Sequence, residues 1–517
     1  MSEGFVSVPN VNISRVRALL IALAGAALLA GCATSDAQLS PQSSAQDAAT
    51  SASASPSPTY PVSSDWVIDP SAEATDQQVA AFSGASSVAP GDELDVYISA
   101  AGSAEVSVYR LGPYEGKGAV QVLAPTPVNT ALQTAVASDP TTKATSAPWD
   151  VSTTLQTDQW PPGLYFLHVS SGGVARNVPF VVRDTDLAGK VVFVAGDTTW
   201  QAYNSWGGKS LYKGANGFAD RSYAVSFDRP YSSADWQIWY DFDVSVISAL
   251  QETSAPIGYT SVTAITADPD SLDGAAGVIS NGHDEYWPLP YRDALVQARD
   301  AGTNLAFLGA NAGYWRVRLE DTATGPDRLM VGYKSAALDP VSGARDTTAR
   351  YRDNPQPLPE TTVVGQLYDC YPSAGDVTIT QPDFFLFAGT GVQKGTDIPG
   401  LVGNESDRAY ATADTPRPIQ VPAVSTATCK DTTTYSTMVY YTVPSGAGVF
   451  STGTMNWGRA MSGPTESFGL TQATTDFTRT VTRTLAENMA AGPMGKAHPA
   501  QDDYSVIAAL PNVNNAG

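Results

Sequence analysis

Two hydrophobic patterns divide the chain. From about Ser63 to Asp184, apolar and polar positions alternate in short runs. Examples are Leu94-Asp95-Val96-Tyr97-Ile98, Val106-Ser107-Val108-Tyr109 and Tyr165-Phe166-Leu167-His168-Val169. Turn residues at Gly102-Ser103, Gly112-Pro113 and Pro161-Pro162-Gly163 separate them. Period-two alternation at this spacing predicts short antiparallel strands that bury one face. At Lys190 the pattern becomes a continuous apolar run, Val191-Val192-Phe193-Val194-Ala195-Gly196, as expected of a strand buried on both faces. Beyond it the sequence predicts a helix around Asp243–Glu252, strands at Tyr259–Thr266 and Ala275–Ser280, a helix near Pro290–Ala301 and a strand at Asn304–Gly309. Strands return at Met438–Val443 and Gly448–Thr452, and a helix over Thr475–Ala490 closes the region. Residues 320–435 show no sustained period and read as a large irregular insertion.

These patterns predict two folded parts. Residues 62–185 read as an immunoglobulin-like β-sandwich. Residues 186–492 read as a mostly parallel α/β domain of glutamine-amidotransferase-like or flavodoxin-like type, carrying the insertion. Residues 493–517 read as a C-terminal tail. His168, inside an alternating strand, reads as a structural histidine.

The N-terminus follows different rules. Arg15 and Arg17 precede the apolar run Ala18–Ala30, which ends in Leu29-Ala30-Gly31-Cys32. Basic, apolar and small residues in that order make 1–31 a secretory signal, too short to span a bilayer comfortably. The Leu-Ala-Gly-Cys ending resembles the lipobox of bacterial lipoproteins, which implies lipidation at Cys32 and a place on the extracytoplasmic face of the cell membrane. Residues 32–61, rich in Ser, Ala, Gln, Thr and Pro, read as a flexible tether. With Cys32 lipidated, the two remaining cysteines, Cys370 and Cys429, invite one disulfide in an oxidising compartment; two buried free thiols are the alternative. The chain carries 29 Lys+Arg against 51 Asp+Glu, a net charge of −22. Tracking nucleic-acid phosphates needs clustered basic residues, so that class of partner is excluded.

In open α/β sheets, ligands sit beyond the carboxyl ends of the strands. Three polar, aromatic segments fall there: Thr199–Gly208, Asn281–Trp287 and Ala310–Trp315. A fourth, Trp239–Asp243, precedes a predicted helix. In His283-Asp284-Glu285 an imidazole and a carboxylate two residues apart can converge for metal ligation or proton transfer. With only three His in the chain, a three-His zinc site or a haem attachment is improbable. A metal here would take oxygen ligands. A phenolate ligand, with its ordinary pKa near 10, requires a strongly Lewis-acidic ion, which ferric iron fits; calcium would also accept oxygens, but its pairing with one His would be unusual. No Gly-x-Ser-x-Gly elbow and no cysteine follows a strand, so nucleophilic hydrolase chemistry lacks its nucleophile.

Five blocks in order carry a family resemblance. They are Trp200-Gln201-Ala202-Tyr203-Asn204-x-Trp206-Gly207, Ser226-Phe227-Asp228-Arg229-Pro230-Tyr231, Tyr240-Asp241-x-Asp243-Val244, Gly282-His283-Asp284-Glu285-Tyr286-Trp287 and Gly309-Ala310-Asn311-x-x-Tyr314-Trp315-Arg316. Over about residues 190–490 the chain resembles the C-terminal domain of the large (β) subunit of N,N-dimethylformamidase. The resemblance implies an amide hydrolase with one mononuclear ferric iron, Fe(3+), held by two tyrosinates and a glutamate, which match Tyr203, Tyr240 and Glu285. It implies roles in orienting substrate or water for His283 and Asn311, and a more loosely aligned catalytic carboxylate at Glu405. The dimethylformamidase works with a separate small subunit and has further N-terminal structure. This chain instead has a lipobox and a sandwich, and its subunit partner and any homo-oligomer stay open.

The leading expectation is therefore a surface-tethered, metal-dependent hydrolase of a small amide or related C–N bond. The alternative is a non-catalytic lipoprotein that binds a carbohydrate or polymer through Trp200, Trp206, Trp287 and Trp315. Cys32→Ser is expected to move the protein from the membrane fraction into a soluble or unprocessed form; unchanged fractionation would rule out the lipobox.

Overall fold

The computed structural model describes residues 60–233 and 238–511, with the side chains of 238–241 outside the description. The signal segment, Cys32 and nearly all of the tether lie outside the described residues. The architecture is mixed α/β, with more strand than helix and several sheets.

The first part has a six-stranded sheet in the order Val62–Ser63, Ala119–Thr130, Gly102–Leu111, Gly163–Ser171, Val174–Val182, Ser87–Val88, and a three-stranded sheet of Val79–Ser83, Glu93–Ala100 and Thr153–Gln156. Glu93–Ala100 behaves as its pattern predicts, with Leu94, Val96 and Ile98 buried and Glu93, Asp95 and Tyr97 less so. Gly163–Ser171 does not: Leu164, Tyr165, Phe166 and Leu167 are all buried. Its sheet is covered on both faces, because the hydrophobic core that holds these residues continues through Val246, Leu250 and Tyr259 of the following part. Polar contacts seal the same junction, where Gln251 Nε2 donates to Leu111 O at 3.3 Å and to Tyr259 Oη at 2.6 Å. Residues 61–517 accordingly form one compact unit. His168 is a satisfied structural residue, its Nδ1 2.8 Å from Asn177 Oδ1.

The second part is built on a nine-stranded sheet. Ile257–Ser261, Val191–Ala195, Gly277–Gly282, Asn304–Gly309 and Gly448–Ser451 run parallel in that order. Thr432–Thr442, Ile419–Cys429, Leu367–Thr378 and Asp397–Arg408 extend it as antiparallel strands. The stretch expected to be an irregular insertion thus contributes three long strands to the sheet, plus the hairpin of Trp315–Thr322 and Gly325–Val331 in a separate four-stranded sheet. Its pattern hid them because bulges shift the register of Leu367–Thr378 against Asp397–Arg408 at three places, breaking strict alternation. The predicted strand at Tyr259–Thr266 ends instead at Ser261. There the Ser261 hydroxyl caps a helix over Val262–Ala267 by accepting from the Ala264 N–H.

Two glycines set the spacing at the strand ends. Gly282 and Gly309 face each other across the parallel pair, and a Cβ on Gly309 would lie 2.0 Å from Gly282 O. Gly282 also has φ +66 and abuts Phe242, so a side chain fits at neither position. The close approach brings the residues that follow, His283 to Glu285 and Ala310 to Asn311, together.

Cys370 and Cys429 form a disulfide, as their numbers suggested, with Cα atoms 5.8 Å apart at the end of the pairing between Leu367–Thr378 and Ile419–Cys429. Replacing both by Ser should lower the unfolding free energy by about 2–4 kcal/mol in denaturant titration of exported protein. Two titratable thiols in the unfolded, unreduced wild type would overturn the pairing.

Candidate functional site

The site is assembled around one buried carboxylate, Glu285. Backbone bonds fix its loop. The Thr199 hydroxyl, in the helix Asp197–Tyr203, accepts from the Glu285 N–H at 3.0 Å and the Tyr286 N–H at 3.2 Å, and Thr198 Oγ1 donates to Tyr286 O at 2.7 Å. On the far side the Gly313 N–H donates to Asp284 O and the Trp315 N–H to Glu285 O, both at 2.9 Å. The loop is thereby held between the helix after Val191–Ala195 and the loop after Asn304–Gly309.

Four side chains meet Glu285. Tyr203 Oη donates to Oε2 at 2.9 Å, and Tyr212 Oη sits 2.6 and 2.7 Å from the two carboxylate oxygens. Asn311 Nδ2 donates to Oε1 at 3.2 Å. His283 Nε2 is 3.2 Å from Oε2, 2.8 Å from Tyr203 Oη and 3.8 Å from Glu405 Oε1. The Tyr203 and Tyr212 rings stack with centroids 4.5 Å apart. Asn311 holds a left-handed φ of 61, and its N–H donates to both carboxylate oxygens of Asp407, at 2.8 and 3.0 Å. Asp407 in turn lies two residues from Glu405 on Asp397–Arg408, so one strand anchors Asn311 and supplies the second glutamate.

The electrostatics follow from burial. His283 would lose its proton to desolvation, but Glu405 and Glu285 outweigh that and lift its pKa to about 9. Burial would raise Glu285, yet the His283 cation beside it holds the carboxyl below its ordinary range. Glu405 is pushed up, first by burial. Burial, reinforced by Glu285, holds the Tyr203 and Tyr212 phenols well above 10. Two buried acceptor atoms, Glu405 Oε2 and Asn311 Oδ1, have no hydrogen-bond partner.

Of the residues expected from the sequence, Tyr203, His283, Glu285, Asn311 and Glu405 come together here. Tyr240 lies in the helix Ile238–Gln251, but its side chain lies outside the described residues. Two members of the site were not anticipated. Tyr212 follows a 3-10 turn in a loop with no strand end to mark it. Lys334 has a φ of +59 and places its buried Nζ, without a hydrogen-bond partner, 3.2 Å from the Tyr212 ring centroid and 4.9 and 5.0 Å from those of Trp315 and Tyr286. Desolvation holds its pKa well below the lysine range. The tryptophans offered as a binding platform are mostly core: Trp200, Trp206 and Trp287 are buried, and Trp287 packs on Tyr291 and Phe307.

Among the described residues, no group of three or more His, Cys, Asp and Glu side chains is arranged to hold a metal. Ligation at this site would draw on phenols. The donors within reach are the Tyr203 and Tyr212 oxygens and the Glu285 carboxylate, an all-oxygen set with anionic capacity, which suits a hard, highly charged cation.

No curated protein matches the chain. The family described as N,N-dimethylformamidase beta subunit-like, C-terminal, matches residues 105–471, well over half of the chain. The match begins inside the strand Gly102–Leu111, upstream of the 190–490 span that the sequence blocks suggested. That extension agrees with the continuous core between the two parts, and with buried polar bonds across them such as Thr145 Oγ1 donating to Trp206 O at 3.1 Å. The site residues Tyr203, Tyr212, His283, Glu285, Asn311 and Glu405 all fall within the matched span, and the chain belongs to the N,N-dimethylformamidase beta subunit-like, C-terminal family.

Proposed function

We propose that this protein is a surface-tethered, metal-dependent hydrolase of a small amide or related C–N bond. The observation that supports it most is the convergence of two phenols on a buried carboxylate, with His283, Asn311 and Glu405 around it. Ferric iron is the ion proposed, with Tyr203, Glu285 and Tyr212 as the residues that would hold it; Tyr212 takes the place that the family resemblance gave to Tyr240. Bound there, the ion would polarise an amide carbonyl as a Lewis acid.

The chain's own groups divide the remaining work. Asn311 Nδ2 is a fixed donor for negative charge developing on the carbonyl oxygen. His283 Nε2, between two glutamates, can carry a proton to the leaving nitrogen. Glu405, its carboxyl raised by burial and its Oε2 unpartnered, can accept a proton from attacking water. The surrounding aromatic wall excludes bulk water, which strengthens each of these interactions.

The same reading includes lipidation at Cys32, a tether to residue 61, an immunoglobulin-like sandwich over 62–185 and a flavodoxin-like or glutamine-amidotransferase-like domain over 186–492.

Purified protein should carry about one iron per chain and show a broad visible phenolate-to-iron band, as deprotonated ligands on a Lewis-acidic ion require. Tyr203→Phe, Tyr212→Phe and Glu285→Gln should each lose iron and colour while far-ultraviolet circular dichroism is unchanged. Tyr240→Phe separates the two ligand assignments, since it should keep the band if Tyr212 is the second phenol. A colourless, iron-free protein that still hydrolyses amides would sink the site.

His283→Ala should retain iron but lower kcat/KM for formamide or N-methylformamide by roughly 10²–10⁴-fold, the range for a lost general acid–base group. Undiminished turnover would remove His283 from the chemistry.

A further inference from the structure

The block Ser226-Phe227-Asp228-Arg229-Pro230-Tyr231 supplies none of the side chains that meet Glu285. Its Arg229 is fully buried, and burial obliges the protein to satisfy the five N–H donors of a guanidinium. Nη2 donates to Asn204 O at 2.7 Å and to Gln201 O at 3.0 Å. Nη1 donates to Lys209 O at 3.1 Å, and to Trp206 O and Thr145 Oγ1 at 3.3 Å each. Nε donates to Gln201 Oε1 at 3.4 Å. Four of the acceptors are backbone carbonyls of one short stretch, residues 201–209.

Those carbonyls lie along the path from one phenol to the other. Gln201 and Asn204 flank Tyr203 at the end of the helix Asp197–Tyr203, where the last carbonyls lack partners within the helix. Trp206 and Lys209 lie on the way to Tyr212. The chain that joins the two phenols thus wraps around a single guanidinium. The Leu211 N–H closes the wrap by donating to Ala202 O at 3.0 Å, next to each tyrosine, and the Tyr212 N–H donates to Ser210 Oγ at 3.1 Å. The two rings emerge stacked, with both oxygens at Glu285. Asn204 ties the same two segments together from the other direction. Its Nδ2 donates to Pro230 O at 2.9 Å, and its Oδ1 accepts from the Ser232 N–H at 3.0 Å.

A lysine could not take over this arrangement. Its three donors radiate from one point, whereas the guanidinium fork is planar and reaches acceptors on several sides at once. We propose that Arg229 is a positioning residue, which fixes the phenols of Tyr203 and Tyr212 at the separation that lets both reach one ion beside Glu285. Thr145, from the strand Thr145–Ser146, brings the alternating-strand part of the chain into the same device: its Oγ1 donates to Trp206 O at 3.1 Å while accepting from Arg229. The benefit to ion binding rests on the metal-dependent reading; the placement of the phenols does not.

Fluorine NMR of the full chain labelled with 3-fluorotyrosine tests the placement before any metal is added. Tyr203→Phe and Tyr212→Phe identify the two resonances. Arg229→Lys should shift both, and its ferric affinity, measured by competition with citrate, should fall roughly 10–100-fold, the range for a lost group that orients a metal ligand. Thr145→Val removes only the bridging hydroxyl, so the same changes are expected at smaller size. Arg299→Met is the control: that guanidinium also binds a backbone carbonyl, Thr362 O at 2.8 Å, and its other bonds go to Tyr441 and Asp300, outside both phenol segments. It should leave the resonances and the affinity unchanged at a comparable loss of stability. Unmoved resonances in folded Arg229→Lys, or in Thr145→Val where Arg229→Lys does not fold, would overturn the proposal. So would shifted resonances with undiminished ferric affinity, or equal shifts in Arg299→Met, which would mark general loosening. Shifted resonances in a protein whose wild type takes up no ferric ion would support the positioning and discard the metal-dependent reading.

Discussion

The burial of Glu285 is the constraint on which the rest of the site depends. A carboxylate removed from water costs several kcal/mol unless the protein returns an equivalent set of partners. Here two phenols, an amide and an imidazole do so, all within 3.2 Å. Apart from His283, which stands two residues away on the same loop, each of these groups has to be delivered by a different segment. Tyr203 comes from the helix after one parallel strand, His283 and Glu285 from the loop after a second, Asn311 from the loop after a third, and Tyr212 from an intervening loop. Each of these segments is held to the shared carboxylate as well as to its own strand.

That arrangement explains devices which would otherwise look incidental. Gly282 and Gly309 allow two strand ends to approach more closely than side chains permit. Asn311 occupies a left-handed conformation that costs energy for a non-glycine residue, and Asp407 holds it there with two hydrogen bonds to its N–H. Thr199 carries the Glu285 and Tyr286 N–H groups that the sheet leaves unpaired. The strain at Asn311 is thus local to the residue that aims its side-chain amide at Glu285.

What was legible in the sequence was whatever sheet geometry enforces. The run Val191–Ala195 announces a strand buried on both faces, and a parallel strand presents its functional residues just past its end. Hence His283, Glu285 and Asn311 could be placed by position, and Tyr203 by its block of neighbours. Glu405 was harder, because it lies on a strand whose bulged register erases the alternation that would have revealed it. Tyr212 and Lys334 carried no local signal: one sits in a loop, the other in a turn after an antiparallel strand, and only tertiary packing brings them to Glu285. The family blocks located the site more sharply than periodicity could, yet the packing adds a tyrosine that no block contained.

Under the proposed reading, the same burial also decides which ions could be held. Desolvation keeps both phenols protonated, so a cation must replace two protons before it gains two phenolate bonds. A singly charged ion recovers too little for that exchange. Coulomb attraction grows with ionic charge, and in a water-poor site it is less screened than in solvent. Lys334 lies over the Tyr212 ring with its pKa held well below the lysine range by desolvation, so it gives up its charge readily when a cation arrives. The balance tips toward an ion of high charge bonded directly to oxygen, because only such an ion recovers enough from two phenolates and a carboxylate to replace both protons. Selectivity of this kind requires no dedicated metal motif, only a buried carboxylate whose hydrogen-bond donors are themselves acids.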